Sequence, residues 1–262
     1  MNMSANTILI TGGTSGIGLE LATQFLSLGN TVIVTGRDPG KLERVQAKLE
    51  GIHAFQSDAC DPKAIQTLFH AVTERFPTLN VLINNAGIMR KIDLLGWRED
   101  TGDIEREIET NLAAPVRMTE QFLPHLRLQE TAAIVNVSSG LAFVPFPAFP
   151  IYCAAKAGLH SFTQSLRVQL RGTKVKVFEL APPMTRTPLL AADFHLADIP
   201  AMHTMDVRAM VRRAMDGLRR DRLEIRPGRS NLLKLMSRIA PQFVLNRLSK
   251  PAEKVLAGSA SP

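Results

Sequence analysis

The sequence predicts a doubly wound α/β fold, a parallel sheet with helices on both faces, on three observations. Short runs rich in β-branched residues alternate with amphipathic stretches through the first 220 residues or so. A glycine-rich turn joins the first such run to the first amphipathic stretch. No internal repeat or low-complexity linker interrupts the series, which predicts one domain spanning residues 1–262.

The elements follow in order. Residues 7–10 (Thr-Ile-Leu-Ile) read as a strand ending at Gly12-Gly13, and the period from Gly18 to Leu28 reads as a helix stopped by Gly29-Asn30. A second strand is expected at 31–35 and a helix at 39–50. Strands near 52–56, 79–83, 132–138 and 174–180 then alternate with helices near 61–76, 103–129 and 151–171. Asp61 before Pro62 reads as a helix N-cap. A helix near 205–220, a short strand at 223–225 and a basic amphipathic tail near 226–262 complete the chain. Residues 140–150 are too proline-rich for a central strand or a helix interior. Residues 182–204 show no clear period, and 183–204 is read as a variable substrate loop. Both segments follow predicted strands directly, where open α/β sheets bind ligands, so both are candidate pocket walls. Phe143, Phe146, Pro147 and Phe149 predict an apolar wall and hence an apolar substrate.

Composition excludes other classes. Of 262 residues, 45% are hydrophobic and 21% charged, which is ordinary globular chemistry and neither disordered nor fibrous. Two cysteines, Cys60 and Cys153, make no disulfide framework and suit a reducing compartment. The first residues lack the basic-then-apolar pattern of a secretion signal, and no apolar run approaches the ~20 residues of a membrane span. A cytoplasmic location is therefore expected. Residues 201–262 carry 13 Lys and Arg against 5 Asp and Glu, whereas the first 200 residues carry 18 against 19. Basic character confined to one end argues against nucleic acid as the main partner. The tail's pattern could lie on an anionic membrane surface, but packing on its own domain or across a subunit interface is the commoner use. The six histidines (53, 70, 125, 160, 195 and 203) show neither metal-ligand spacing nor an acidic partner, so no metal is expected and they read as surface or packing residues. Cys153 reads as a packing residue.

The turn Thr11-Gly12-Gly13-Thr14-Ser15-Gly16-Ile17-Gly18 carries the first chemical signal. Glycines permit a sharp turn, close approach of backbone to a pyrophosphate and close helix–strand packing. The helix N-terminus that follows offers unpaired N–H groups to phosphate. With its G-x-x-x-G-x-G spacing, this turn resembles the T-G-x-x-x-G-x-G cofactor motif of classical short-chain dehydrogenases/reductases. Four further elements extend the resemblance over nearly the whole chain. Asn84-Asn85-Ala86-Gly87 resembles that family's N-N-A-G, and Tyr152-Cys153-Ala154-Ala155-Lys156 its Y-x-x-x-K. Ser139 and Asn111 fall where the family keeps its active-site serine and asparagine. The stretch from Leu223 to Ser237 resembles the DltE-like branch of bacterial oxidoreductases.

The resemblance implies a Rossmann-type oxidoreductase interconverting a carbonyl and a secondary alcohol, working as a homodimer or homotetramer. The implied catalytic set is Asn111, Ser139, Tyr152 and Lys156, with Asn111 holding a water that links the lysine to solvent. The implied cofactor contacts are Gly12, Thr14, Ser15, Gly16, Ile17, Gly18, Arg37, Asp58, Asn85, Ala86, Gly87, Tyr152, Lys156, Pro182 and Thr187. Pro183 stands where the family usually has glycine, which removes an N–H and fixes φ beside Thr187.

The chemistry also follows from the residues. Tyr152 and Lys156, four apart on a helix, share a face. An ammonium beside a phenol favours the phenolate, and bringing a phenol from ~10 to ~7 needs roughly 4 kcal/mol of differential stabilisation. Ser139 would hydrogen-bond the substrate oxygen. Taken singly, Tyr152 reads equally as a packing residue and Lys156 as a solvated charge; their spacing with Ser139 gives them a shared purpose. A nucleotide-bound sensor without turnover is the rival reading, but it has no use for a proton-transfer set. For the cofactor, the resemblance places Gly36 at the family's acidic position, with Arg37 following it, which favours the 2′-phosphate of NADP(H) over NAD(H). The alternative is that Asp38 pairs with Arg37.

Overall fold

The structure, a computed structural model, describes residues 1–95, 102–191 and 204–257. Among them lies a seven-stranded, all-parallel sheet with the order β3-β2-β1-β4-β5-β6-β7. The strands are β1 (Thr7–Ile10), β2 (Thr31–Gly36), β3 (His53–Gln56), β4 (Leu79–Asn84), β5 (Ala132–Val137), β6 (Val175–Leu180) and β7 (Glu224–Ile225). The helices are α1 (Gly16–Ser27), α2 (Pro39–Lys48), α3 (Pro62–Arg75), α4 (Gly102–Ile108), α5 (Ala114–Leu128), α6 (Pro150–Gln169), α7 (Pro188–Ala191), α8 (Val207–Arg219), α9 (Ser230–Ile239) and α10 (Pro241–Ala257). Residues 192–203 of the expected substrate loop, with His195 and His203, lie outside the described residues.

Strand side chains alternate between two cores, as a pleat with both faces covered requires. Ile8, Ile10, Val32 and Val34 pack with Leu21 and Phe25 of α1 and Met210 and Ala214 of α8. Leu9 and Ile33 face the other way, onto Ile65 and Leu68 of α3 and Phe122 and Leu126 of α5. The chain reverses its direction of winding between β1 and β4, the switch point at whose carboxyl edge a crevice opens. Among the described residues no helix is long and apolar enough to cross a membrane.

The structure corrects the sequence expectation in one element. The helix expected over 103–129 is broken by a π-helical turn, Glu109–Ala113, between α4 and α5. A π turn inserts one residue into the helical register, often at a functional site. Here it carries Asn111 inward, fully buried. The basic tail folds back as α9 and α10, and Val244, Ala252 and Val255 are buried. Asp61 caps α3 by accepting the Lys63 N–H at 2.9 Å, as expected.

A buried polar ladder ties the layers below the crevice. Asn84 Nδ2 donates to Asn136 Oδ1 at 2.8 Å, Asn136 Nδ2 to Thr163 Oγ1 at 2.9 Å, and Thr163 Oγ1 to the Leu159 carbonyl at 2.6 Å. Removing the middle member takes the shortest acceptor from Asn84 Nδ2, which keeps longer bonds to Thr119 Oγ1 at 3.3 Å and the Pro115 carbonyl at 3.4 Å, and takes a donor from Thr163 Oγ1. Asn136→Ala should cost about 2 kcal/mol of unfolding free energy, for two buried hydrogen bonds lost at roughly 1 kcal/mol each. Urea denaturation checks this; a loss below about 1 kcal/mol would mean that the ladder does not couple the layers.

Candidate active site

The ends of β1 and β4 build the floor of the site. Gly12 has φ +65, and a Cβ there would stand 2.8 Å from Ala86 Cα, so only glycine fits the turn. Thr11 Oγ1 accepts the N–H groups of Asn85 and Ala86 at 3.0 and 3.1 Å. Asn85 Nδ2 returns hydrogen bonds to the carbonyls of Thr11 and Gly12 at 2.9 and 3.1 Å. The two loops are thereby locked edge to edge, leaving the N-terminus of α1 facing an open cleft of about 1090 Å³.

Nearly all of the expected site residues line this cleft. Gly12, Thr14, Ser15, Gly16 and Ile17 form one wall, and Arg37 and Asp58 its outer end. Asn85, Ala86 and Gly87 form the floor, with Ser139, Tyr152, Lys156, Pro182 and Thr187 at the inner end. Gly18 and Asn111 do not line it. A Cβ on Gly18 would meet Asn85 Nδ2 and the Gly12 carbonyl at 2.4 Å, so Gly18 is a packing glycine rather than a cleft residue. Asn111 sits behind the floor, donating to the Ile88 carbonyl at 2.7 Å and accepting the Ile88 N–H at 3.3 Å. The absence of a side chain at Gly87 admits both Asn111 and Lys156: a Cβ there would lie 2.9 Å from Asn111 Oδ1 and 3.6 Å from Lys156 Nζ.

Lys156 is 3% exposed, and its Nζ donates to the Val137 carbonyl at 2.9 Å and lies 5.8 Å from the centre of the Tyr152 ring. Burial holds the ammonium down at about 8 and pushes the Tyr152 phenol up to about 12, with hydrogen bonding from Ser139 pulling the phenol the other way. This corrects the expected direction of the tyrosine shift. In so dry a pocket desolvation outweighs an ammonium that is turned toward a backbone carbonyl.

At the outer end, Asp38 accepts the Lys41 N–H at 3.1 Å and caps α2, so the expected alternative of an Arg37–Asp38 pair does not form. Arg37 and Lys41 both face the cleft. A side chain on Gly36 would meet the Thr14 methyl at 2.8 Å, which leaves no room there for the usual carboxylate. The apolar wall is partly as expected. Phe146 and Phe149 line the cleft, but Phe143 turns away to meet the His160 ring at 5.0 Å and Lys234 at 5.2 Å, and Pro147 does not line it. Cys153 is buried packing, its Sγ accepting the Phe146 N–H at 3.3 Å. Among the described residues no group of three or more His, Cys, Asp or Glu could hold a metal ion.

Residues 6–196 match the family model described as short chain dehydrogenase. The Bacillus subtilis (strain 168) protein named uncharacterized oxidoreductase DltE is 49% identical over 189 residues, covering 72% of this chain and 75% of its own. The chain belongs to the short-chain dehydrogenase/reductase family. A Sphingobium yanoikuyae short-chain dehydrogenase in complex with NADPH superposes with a TM-score of 0.79 at 28% identity, covering 92% of this chain and 95% of that one. The fold is also that of a Burkholderia phymatum short-chain dehydrogenase/reductase in complex with NAD, at a TM-score of 0.82 and 23% identity over 94% and 96% of the chains.

This short-chain dehydrogenase/reductase has site features that sequence reasoning missed. The Ser138 hydroxyl donates to buried Glu179 Oε1 at 2.5 Å, and the other oxygen of Glu179 meets His160 Nδ1 at 2.7 Å. His160 therefore does have an acidic partner, contrary to expectation. Nothing in the spacing of Ser138, His160 and Glu179 signals that contact, because the pairing of β5 with β6 creates it. The second omission is the tail: Arg229, Leu233, Phe243, Arg247, Lys250 and Lys254 line the cleft.

The buried ammonium predicts a pH signature. Its folded value of about 8 lies below the ordinary 10.5, so below pH 8 the charge carries its full burial cost. That cost is relieved as pH rises from about 8 to 10.5, where the unfolded chain still holds the proton. Relative to Lys156→Met, the native chain should gain roughly 2–3 kcal/mol of stability between pH 7 and 10. Urea titrations of both proteins at the two pH values measure it; a flat or falling difference would mean that the ammonium is not desolvated.

Proposed function

We propose that the chain is an NADP(H)-preferring enzyme that interconverts a carbonyl and a secondary alcohol, with Tyr152 as proton donor and acceptor. The observation that carries this reading is the convergence of Ser139, Tyr152 and Lys156 at the inner end of a cleft whose other wall is the glycine-rich turn. The residues present fit a dinucleotide: Gly12 makes a cradle that any Cβ would fill, and the N-terminus of α1 opens onto the same cleft. A bound nicotinamide supplies the hydride, and the protein supplies orientation and the proton.

Each side chain then has a definite task. A phenol pushed up to about 12 is protonated at neutral pH, the form that donates to a carbonyl oxygen in the reductive direction. Oxidation of an alcohol needs the phenolate and hence a cation brought closer to the ring than 5.8 Å. Ser139 holds the substrate oxygen at the phenol. Asn111, bonded to Ile88, holds the floor on which Lys156 rests. Arg37 and Lys41 give the outer end two cations that would meet a 2′-phosphate, Asp58 would hold the adenine, and Thr187, beside Gly16, would contact the nicotinamide. Residues 1–262 form one domain in this reading, with 183–204 as substrate loop, in a cytoplasmic homo-oligomer.

Tyr152→Phe should bind cofactor almost as the native chain does yet lose about 10²–10⁴-fold in kcat, measured as nicotinamide absorbance change over a panel of aldehydes and ketones. Near-native kcat would sink the assignment. Arg37→Leu should weaken NADPH about 10- to 150-fold and leave NADH nearly unmoved in fluorescence titrations. Tighter binding of NADH than of NADPH by the native chain would overturn the cofactor preference.

A further inference from the structure

The cleft changes character along its length. Its inner end is apolar, formed by Phe146, Phe149 and Leu190 around Tyr152. Its mouth on the tail side is cationic. Arg247, Lys250 and Lys254 lie at i, i+3 and i+7 of α10 and so share one face, and Arg229 stands just ahead of α9. All four line the cleft and are exposed. Among the described residues none is paired with a carboxylate, whereas the neighbouring tail cations Arg226 and Lys234 are both held by Glu224. The cleft's described carboxylates, Asp38 and Asp58, stand at the opposite, outer end.

The placement of α10 is fixed. Its adjacent face buries Ala252 and Val255 in the same apolar cluster as Tyr152, Phe146 and Phe149. The cations therefore project from an anchored helix over the entrance to the reacting end. Cations held along one wall of a low-dielectric cleft concentrate anions there and penalise cations.

We propose that the substrate is an anionic amphiphile: an aldehyde or ketone whose apolar body fills the Phe146–Phe149 end and whose carboxylate or phosphate head lies against Arg247, Lys250 and Lys254. This rests on the carbonyl–alcohol activity proposed above and adds the charge and shape of the molecule that undergoes it.

The test compares 10-oxodecanoate with its neutral methyl ester, at equal chain length, in NADPH-dependent reduction. The native enzyme should prefer the acid by roughly tenfold in kcat/KM, mainly through KM, as three partly screened charge contacts allow. The preference should shrink as ionic strength rises from about 0.02 to 0.3 M. In Arg247→Gln/Lys250→Gln/Lys254→Gln the ratio of acid to ester should fall to about one. In Arg212→Gln/Arg213→Gln/Arg219→Gln, which removes the same charge from α8 outside the cleft, it should not change. Equal use of acid and ester by the native enzyme, or a preference that survives the α10 substitutions, would overturn the proposal. Calorimetric binding of decanoate against decanol reads the same site without turnover. Selective decanoate binding lost in the α10 variant, with neither probe reduced, would fail the activity reading alone. Absent decanoate selectivity with both probes reduced and Tyr152→Phe inactive would fail the anionic-substrate proposal alone.

Discussion

The site depends on one close approach, the contact of Gly12 with Ala86. Two loops from neighbouring parallel strands meet with backbone against backbone, and the side chains of Thr11 and Asn85 hold them there. Four hydrogen bonds cross the gap, two between Thr11 and Asn85, one from the Ala86 N–H to Thr11 Oγ1 and one from Asn85 Nδ2 to the Gly12 carbonyl. Gly18 lets α1 close onto the same carbonyl. The crevice at the switch point is thus a rigid consequence of strand order and three small contacts. The direction of the α1 N-terminus follows from it.

Upon that floor the chain buries charge at a cost. Lys156 sits 3% exposed with a single backbone carbonyl as its hydrogen-bond partner, and Tyr152 is packed among phenylalanines. Neither arrangement favours folding. Both hold the proton-bearing groups in a dry pocket, where each is far from its ordinary ionisation and sensitive to any added charge. The polar ladder of Asn84, Asn136 and Thr163 beneath them is fully buried and keeps β4, β5 and α6 in register below the cavity.

Much of this was legible in the sequence because it is written in local periods and turn chemistry. The strand–helix alternation, the glycine turn, the Asp61 cap and the Ser139–Tyr152–Lys156 spacing all depend on residues close along the chain or on a motif with fixed spacing. What stayed hidden depends on where distant segments dock. The π turn at Asn111 looks like continuous helix in the sequence, because one inserted residue hardly disturbs the apolar period. The Ser138–Glu179–His160 contact exists only once β5 and β6 pair. The sign of the Tyr152 shift turned on burial, which a count of neighbouring charges does not reveal. The i, i+3, i+7 cations of α10 could be read from the sequence as a helix face, but the surface that face meets could not.

The anchoring of α10 has a consequence for how the enzyme comes into being. Ala252 and Val255 close the apolar shell of Tyr152, yet they are synthesised about a hundred residues after it. All seven strands and the glycine turn can be in place on a nascent chain while one side of the Tyr152–Lys156 pocket still stands open to water. Solvent reaching a tyrosine and lysine so placed would return both toward their ordinary ionisation. Docking of α10 therefore completes the dry surroundings of Tyr152 and Lys156 after the sheet beneath them can already form.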